Sequence, residues 1–210
     1  MNEDNGNEPS IRARVKIALD RAGGAAAELV SFSGLPGPSG EHIAVVFPSD
    51  SSEEPAYVRV HSECLTGDLL GSTRCDCGPQ LQESVELFAR RGGVLLYLRQ
   101  EGRGIGLYNK LDAYVLQDSG LDTFEANRHL GRGEDERSYE AAAAMLRLLD
   151  VGPIRLVTNN PEKVRQLEEQ GIAITERIGT GVFVTEANHR YLAVKAASAG
   201  HAIALSEEDQ

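Results

Sequence analysis

The stretch Arg59-Val-His-Ser-Glu-Cys-Leu-Thr-Gly-Asp-Leu-Leu-Gly-Ser-Thr-Arg-Cys-Asp-Cys-Gly-Pro-Gln80 contains all three cysteines of the chain, Cys64, Cys75 and Cys77, in the spacing C-x10-C-x-C. Three thiolates suit a tetrahedral Zn²⁺ ion and leave its fourth position open. A structural zinc site normally has four protein ligands, whereas a hydrolytic site has three and keeps a water at the fourth position. The spacing therefore predicts a catalytic site with one zinc ion per chain.

Spacing alone leaves two other interpretations of these cysteines open. They could be ordinary buried thiols of an intracellular protein, or His61 could complete a closed site of three cysteines and one histidine. Strand geometry argues against the closed site. If residues 57–64 form a strand, His61 shares one face with Arg59 and Glu63, while Cys64 points to the other face.

The pattern of the chain changes at the end of this stretch. Before it, four short apolar segments are separated by turns rich in Gly, Pro, Ser and Asp, which predicts an antiparallel meander with strands at 14–19, 27–33, 42–47 and 56–61. Beyond Gly78, helices and strands alternate. We therefore expect an α/β fold with a mixed sheet, whose N-terminal part is β-rich and antiparallel and whose helix–strand alternation follows residue 78.

Helical spacing of apolar residues predicts the elements after Gly78. The first helix, at 79–91, would have Pro79 at its first position and Cys77 at its positive end, which favours a thiolate. The remaining helices are expected at 107–119, 138–149 and 161–170, and the strands at 94–98, 154–158 and 172–176. The region 182–203 is expected to contain a short strand and a helix.

Composition limits the class of protein. The chain has 210 residues, 41% of them hydrophobic, and a formal net charge of −11 from 21 basic and 32 acidic residues. No apolar run approaches the length of a membrane span, and the N-terminus lacks the features of a signal peptide. An odd number of cysteines argues against a disulfide framework. We expect a cytoplasmic protein that binds neither nucleic acid nor membranes, with a single domain at 11–205, a disordered tail at 1–10 and a solvated tail at 206–210.

Three loops carry candidate substrate-binding residues. The glycine-rich loop 100–106 follows a predicted strand and precedes a helix, so its backbone N–H groups and the helix dipole favour a phosphate. In that loop a carboxylate, Glu101, stands beside Arg103, a combination that can bind a guanine edge and a phosphate. A second strand-to-helix junction places Lys163 in a first helical turn, where an anionic partner would offset the unfavourable dipole. The third loop contains Asp135 and Arg137, and periodicity does not decide whether they face a cleft or solvent.

Taken together, these pieces resemble GTP cyclohydrolase II, the enzyme family that opens riboflavin biosynthesis. The resemblance runs from about residue 14 to residue 201, and its motifs occur in the order found in the family: RVHSECLTGD (59–68), RCDCG (74–78), QEGRGIGL (100–107), LQDSGLDTFEAN (116–127), DER (135–137) and TNNPEKV (158–164). Motifs of this length in this order are far more specific than any one of the patterns above.

The resemblance implies roles for individual residues. It assigns Cys64, Cys75 and Cys77 to a catalytic zinc, Asp135 to the proton acceptor and Arg137 to the nucleophile. A guanidinium is a poor nucleophile because its pKa exceeds about 12, so a clamp on the α-phosphate is a rival role for Arg137. Residues that the resemblance assigns to GTP are Arg59, Val60, His61, Ser62, Glu63, Gln80, Glu101, Gly102, Arg103, Thr123, Thr158 and Lys163.

The resemblance also implies the reaction. GTP would lose C8 of guanine as formate through two hydrolyses and lose pyrophosphate through a third, with Mg²⁺ on the triphosphate and a homodimer as the assembly. The product would be 2,5-diamino-6-(5-phospho-D-ribosylamino)pyrimidin-4(3H)-one. Some relatives stop at the formylamino intermediate, and a catalytically silent nucleotide-binding zinc protein is a further alternative. Tyr114, one helical turn beyond Lys110, is predicted to assist formate release, against the alternative of a tyrosine packed in the core.

Overall fold

Seven strands form one mixed sheet in the order β1-β2-β3-β5-β4-β6-β7. The structure is a computed structural model that describes residues 8–37, 41–49, 55–133 and 135–185, without the side chains of residues 123 and 124. The strands are β1 (Ser10–Leu19), β2 (Ala25–Ser33), β3 (Ile43–Phe47), β4 (Ala56–Ser62), β5 (Gly93–Leu98), β6 (Ile154–Val157) and β7 (Ile174–Ile178). The helices are α1 (Cys77–Arg91), α2 (Leu107–Asp118), α3 (Thr123–His129), α4 (Glu140–Leu148) and α5 (Pro161–Glu169). The predicted fold class is confirmed.

The antiparallel part is smaller than the sequence predicts. Strands β1, β2 and β3 form an antiparallel meander, as expected. The prediction that β4 continues the meander is wrong, because β3 pairs with β5, and β4 lies parallel to both β5 and β6. The physical reason is the connection that follows β4. A crossover through α1 returns the chain in the same direction, which gives parallel pairing.

Several predicted boundaries move by about two residues. Helix α1 begins at Cys77, so Pro79 is its third residue, and β7 begins at Ile174 and ends at Ile178. Helix α3 and a single π-helical turn at Leu65–Leu69 were not predicted. Both are only one or two turns long, which is too short to produce a clear 3.6-residue period. Most of the region 182–203, and nearly all of both predicted tails, lie outside the described residues.

Alternation along the central strands separates two hydrophobic layers. Val58 and Val60 of β4 pack in one cluster with Leu96 of β5 and Met145 of α4. The opposite face of the sheet packs against α1 through a second cluster that includes Phe88. Odd-numbered residues of β4 face this second side, and they include Arg59 and His61, which are 5% and 3% exposed.

The parallel pairing decides where the candidate site lies. Strands β4, β5 and β6 run in the same direction, so their carboxyl ends meet at one edge of the sheet. The loops that leave this edge are the cysteine stretch, the glycine-rich loop and the 158–163 junction. Ligands of α/β proteins commonly bind outside the carboxyl ends of strands. In the described part of the chain, no helix is both long and apolar enough to cross a membrane.

Candidate active site

The three cysteines converge although 13 positions separate the first from the last. Their sulfur atoms all lie within 4.8 Å of one another, and the Sγ atoms of Cys64 and Cys75 are 3.6 Å apart. Zn–S bonds of about 2.3 Å in a tetrahedron place two sulfur atoms roughly 3.8 Å apart, so this separation fits one metal ion. Among the described residues, this is the one cluster of three or more potential His, Cys, Asp or Glu ligands, and His61 is not a member. The arrangement supports the open three-thiolate site over the closed site with His61.

The backbone around the cluster leaves room for this convergence. Gly67 lies in the turn at 65–69, and a Cβ atom placed on it would come within 2.7 Å of Cys75 Sγ and 3.2 Å of Cys64 Sγ. A residue larger than glycine would therefore displace the sulfur atoms. Cys77 is the first residue of α1, as the sequence analysis placed it, where the positive end of the helix dipole stabilises a thiolate.

The thiols share their protons unequally. Hydrogen bonds from Cys75 and Cys77 lower the pKa of Cys64. Hydrogen bonding to Cys64 raises the pKa of Cys75 to about 11 and raises the pKa of Cys77 as well. Without a cation among them, the second and third thiols therefore resist ionisation. A divalent ion reverses this preference because its charge stabilises all three thiolates together, so the donor set fits a zinc ion.

A buried ion pair lies directly beside the cluster. Lys110 Nζ is 2.7 Å from Glu101 Oε1, 3.0 Å from Thr66 Oγ1 and 3.2 Å from Cys64 Sγ. Burial alone would lower the pKa of Lys110, but the bond to Glu101 and the Cys64 thiolate charge raise it, so the ammonium is retained. The other Glu101 oxygen accepts from Leu65 N at 2.7 Å. Glu101 and Lys110 thus tie the glycine-rich loop and α2 to the cysteine turn.

The cluster lies in a cavity of about 430 Å³ at the carboxyl edge of the sheet. Of the residues that the resemblance assigns to GTP, the ones that line this cavity are Arg59, His61, Ser62, Glu63, Gln80, Glu101, Gly102, Arg103, Thr158 and Lys163. Val60 is different, since its side chain packs in the core and only its carbonyl oxygen is turned to the site, accepting from Lys163 Nζ at 2.6 Å. The side chain of Thr123 lies outside the described residues.

One wall of the cavity presents buried cations. Arg59 is held by Gln80 Oε1 at 3.1 Å and by the Val157 carbonyl at 3.4 Å. Lys163, 8% exposed, is fixed against β4 by its bond to the Val60 carbonyl. The whole chain is acidic, but these two cations and Arg103 make this wall of the cavity locally positive. An anionic ligand requires such a positive region.

The loop before α4 brings the predicted pair Asp135 and Arg137 together. The guanidinium donates two hydrogen bonds to the carboxylate, one of them at 2.8 Å from Nε to Oδ1. Arg137 lines the cavity, whereas Asp135 is not part of its lining and contacts it through the guanidinium. Burial alone would raise the pKa of Asp135, but the hydrogen bonds and charge of Arg137 lower it. Glu136 N donates to the Arg103 carbonyl at 2.9 Å, which joins this loop to the glycine-rich loop.

Tyr114 lines the same cavity on α2. Its ring centroid is 4.9 Å from the Arg74 guanidinium carbon and 5.7 Å from Lys110 Nζ. Burial raises its pKa, so the hydroxyl stays protonated at neutral pH. The alternative of a tyrosine packed in the core does not describe this placement, because the ring lines the cavity next to two cations that line it too.

Sequence reasoning assigned no role to two residues that the structure places at the cluster. In the sequence Lys110 stands out only as the neighbour of Tyr114, although the i, i+4 spacing puts both on one helix face. No sequence pattern above includes a role for Asp68, which is 8% exposed and accepts from Cys64 N at 2.9 Å. One signal in the sequence could have identified Asp68: it is a carboxylate four residues after a candidate ligand, in a turn between apolar segments.

Three cysteines that could hold one metal ion, in a cavity that also presents cations, are compatible with a metal-dependent hydrolase. The profile described as GTP cyclohydrolase II matches residues 13–179. The chain is similar to GTP cyclohydrolase-2 of Vibrio cholerae, with 50% identity over 93% of this chain and 98% of the relative. It is 50% identical to GTP cyclohydrolase-2 of Aliivibrio fischeri over 91% and 96%, and 54% identical to that of Pectobacterium atrosepticum over 77% and 82%. The chain belongs to the GTP cyclohydrolase II family and is a hydrolase.

Proposed function

We propose that the chain hydrolyses GTP to 2,5-diamino-6-(5-phospho-D-ribosylamino)pyrimidin-4(3H)-one, formate and pyrophosphate, the first step of riboflavin biosynthesis. The observation that carries this proposal is the cluster of three cysteines in a cavity that also presents buried cations. One cavity then holds both functions that the reaction needs. The cysteines would face C8 of the purine ring, and Arg59, Lys163 and Arg103 would face the phosphoanhydride that is cut.

Cys64, Cys75 and Cys77 would hold one zinc ion, which supplies Lewis-acid activation of water for ring opening at C8 and for formate release. Lys110 and Glu101 keep the Cys64 thiolate and the adjoining turn in place. Tyr114, protonated and beside the cluster, would donate a hydrogen bond to the oxygen of the formamide when it is hydrolysed.

The cationic wall and its neighbouring loops would bind the rest of GTP. Arg59, Lys163 and Arg103 provide positive charge for the triphosphate, which is expected to carry Mg²⁺. Gly102 of the glycine-rich loop lines the same cavity and is proposed to contact GTP as well. The remaining residues proposed to contact GTP are Val60 through its backbone, His61, Ser62, Glu63, Gln80, Glu101, Thr123 and Thr158.

Arg137 and Asp135 are proposed to act on the α-phosphate. The resemblance gives Arg137 a covalent role with Asp135 as its proton acceptor. The bidentate pairing between them supports the electrostatic role instead, because an ionised Asp135 stabilises the protonated guanidinium. In that role the guanidinium balances charge that develops on the phosphate, and Asp135 holds it in position.

The decisive experiment incubates the purified, zinc-loaded chain with GTP and Mg²⁺. Mass spectrometry identifies the pyrimidine, and separate assays measure formate and pyrophosphate. We expect all three products in equal amounts. A product that keeps the formyl group would identify the chain as one of the relatives that stop earlier, and bound GTP without turnover would identify a silent nucleotide-binding protein.

We further propose that the chain acts in the cytoplasm as a homodimer that binds neither nucleic acid nor membranes. The net charge of −11 supports the exclusion of nucleic acid, because polyanions are repelled at long range. Light scattering during size-exclusion chromatography tests the assembly, and a mass of one chain, 22.6 kDa, would contradict the dimer.

A further inference from the structure

A buried carboxylate closes the turn that carries the first cysteine. Asp68 N donates to the Cys64 carbonyl at 2.7 Å, and Asp68 Oδ2 accepts from Cys64 N at 2.9 Å. The five-residue turn is thus fastened twice, once through backbone and once through the side chain. Tyr97 OH donates to the same Oδ2 at 2.9 Å, and His61 Nε2 lies 3.1 Å from both carboxylate oxygens.

We infer that Asp68 is a positioning residue of the thiolate centre: it holds the backbone of Cys64 and fixes the tautomer of His61, and so connects the cysteine turn to the cationic wall of the cavity. This inference rests on the proposed function, because it assumes that the three thiolates hold a metal ion. Asp68 touches neither the cavity nor the sulfur atoms, and it acts through the residues it binds.

The hydrogen-bond pattern of His61 defines the connection. His61 is 3% exposed, and burial lowers its pKa, so the ring is neutral. Its Nε2 faces the two carboxylate oxygens of Asp68 and must therefore carry the proton. Its Nδ1 is then an acceptor, and Arg59 Nε donates to it at 3.4 Å. Tyr97 stacks on the imidazole with ring centroids 5.6 Å apart, which restricts rotation of the ring.

No uncharged residue of the same size reproduces this pattern. Three donors, from Cys64 N, Tyr97 OH and His61 Nε2, converge on the carboxylate, which is acceptor-only when ionised. In Asp68→Asn, one oxygen becomes an NH₂ group that needs an acceptor. His61 can supply that acceptor only by moving its proton to Nδ1, and Arg59 Nε then loses its acceptor, although the other guanidinium nitrogens keep theirs. The substitution keeps the volume and breaks the chain of hydrogen bonds.

The test compares metal binding by the wild-type chain, Asp68→Asn and the control Asp112→Asn, which removes an exposed carboxylate on α2. Zinc affinity is measured by chelator competition, and Co²⁺-substituted protein gives an absorption spectrum that reports the geometry of the thiolate ligands. We expect Asp68→Asn to weaken zinc binding by about 10- to 100-fold, as substitutions behind metal ligands typically do, and to shift the cobalt bands. Asp112→Asn should match the wild type in both measurements.

Tyr97→Phe keeps the test decisive if Asp68→Asn does not fold. It removes the Tyr97 hydroxyl, one of the two groups that donate to Asp68 Oδ2 at 2.9 Å, and leaves the bond from Cys64 N in place. The expected loss of zinc affinity is about 2- to 12-fold, the value of one net hydrogen bond, with a smaller shift of the cobalt bands. Thermal unfolding of the metal-free proteins separates these effects from loss of the fold.

The possible results distinguish the two proposals. A wild-type chain that binds no zinc contradicts the proposed metal site itself. A wild-type chain that binds zinc, with an unchanged affinity and cobalt spectrum in folded Asp68→Asn, overturns the positioning role and leaves the proposed function intact. If only Tyr97→Phe folds, wild-type affinity and spectrum in that variant overturn the positioning role in the same way.

Discussion

The two ends of the cavity differ in how firmly the protein itself holds their charged groups. At the thiolate end, Asp68, Glu101 and Lys110 are each 8% exposed, and every one is hydrogen-bonded to the cysteine turn. At the other end, the side chains of Asp135 and Arg137 are 37% and 14% exposed and are paired with each other within one loop. The charged groups of the first end are bonded to a separate part of the chain, whereas the pair at the second end is formed within one loop. A substrate phosphate therefore competes with Asp135 for Arg137, whereas Lys110 is already bonded to Glu101, Thr66 and Cys64.

The contrast between the two ends depends first on whether the thiolate end binds a metal ion. We expect Cys75→Ser to lose the bound zinc and to slow ring opening by about 10⁴-fold, equivalent to roughly 5 kcal/mol of transition-state stabilisation. Metal analysis should find about one zinc per chain in the wild type and none in the variant, and formate release measures the loss of chemistry.

The fold should survive this loss, because the sheet has hydrophobic layers on both faces that do not depend on the cluster. A folded, inactive apoprotein that recovers on addition of Zn²⁺ is the matched control. Gross unfolding on metal removal would instead indicate a structural zinc site. Full activity in a metal-free sample would contradict both a catalytic and a structural role for zinc.

The loop end of the cavity, which contains Asp135 and Arg137, is tested by Arg137→Lys. This substitution keeps one positive charge and removes the bidentate fork of the guanidinium. We expect pyrophosphate release to fall by about 10³-fold, the lower range for loss of an arginine that stabilises a phosphoryl transition state. Ring opening should change little, since the thiolate end is untouched. Separate assays of formate and pyrophosphate measure the two ends independently.

The same variant decides between the two roles of Arg137. If the guanidinium is the nucleophile, the variant loses all pyrophosphate release, and the native enzyme forms a trappable adduct with GMP linked through phosphorus. If it is a clamp, some activity remains and no adduct forms. An adduct on any other residue would refute both roles.

The difference between the two ends also explains what could be predicted from the sequence. The cysteine spacing and the following helix were sufficient to predict that the three cysteines converge, because three thiols in one stretch suit a single metal ion and α1 begins at Cys77. Strand alternation correctly placed Arg59 and His61 on one face. The partners of the charged residues could not be predicted, since Asp68, Tyr97 and Lys110 meet only through pairing of β4 with β5 and packing of α2. The prediction that β4 continues the antiparallel meander was wrong for the same reason, since the sequence of a short strand does not specify which strands it pairs with.

Tyr114 tests whether the thiolate end performs one hydrolysis or two. Tyr114→Phe removes the hydroxyl and keeps the ring beside Arg74 and Lys110. We expect formate release to slow by about 100-fold, the lower range for loss of a general acid or base, while the formylamino intermediate accumulates and pyrophosphate release persists. Equal loss of both products would indicate a packing role, and unchanged formate release would remove Tyr114 from the chemistry.

The smallest effect concerns stability at the loop end. Arg137 lowers the pKa of Asp135 below its ordinary value of 3.8, so the carboxylate favours the folded state above pH 3.8, and this contribution is lost as the pH falls through the folded-state pKa. Because the pair is partly exposed, Asp135→Asn should lower the free energy of unfolding at pH 7 by only about 0.5 to 1 kcal/mol. Urea unfolding at pH 7 and pH 3, at fixed salt, should show the difference shrinking at pH 3, while Asp112→Asn shows none at either pH. A loss well above 1 kcal/mol at pH 7 would mean that the loop end is as rigidly built as the thiolate end, and the contrast between them would fail.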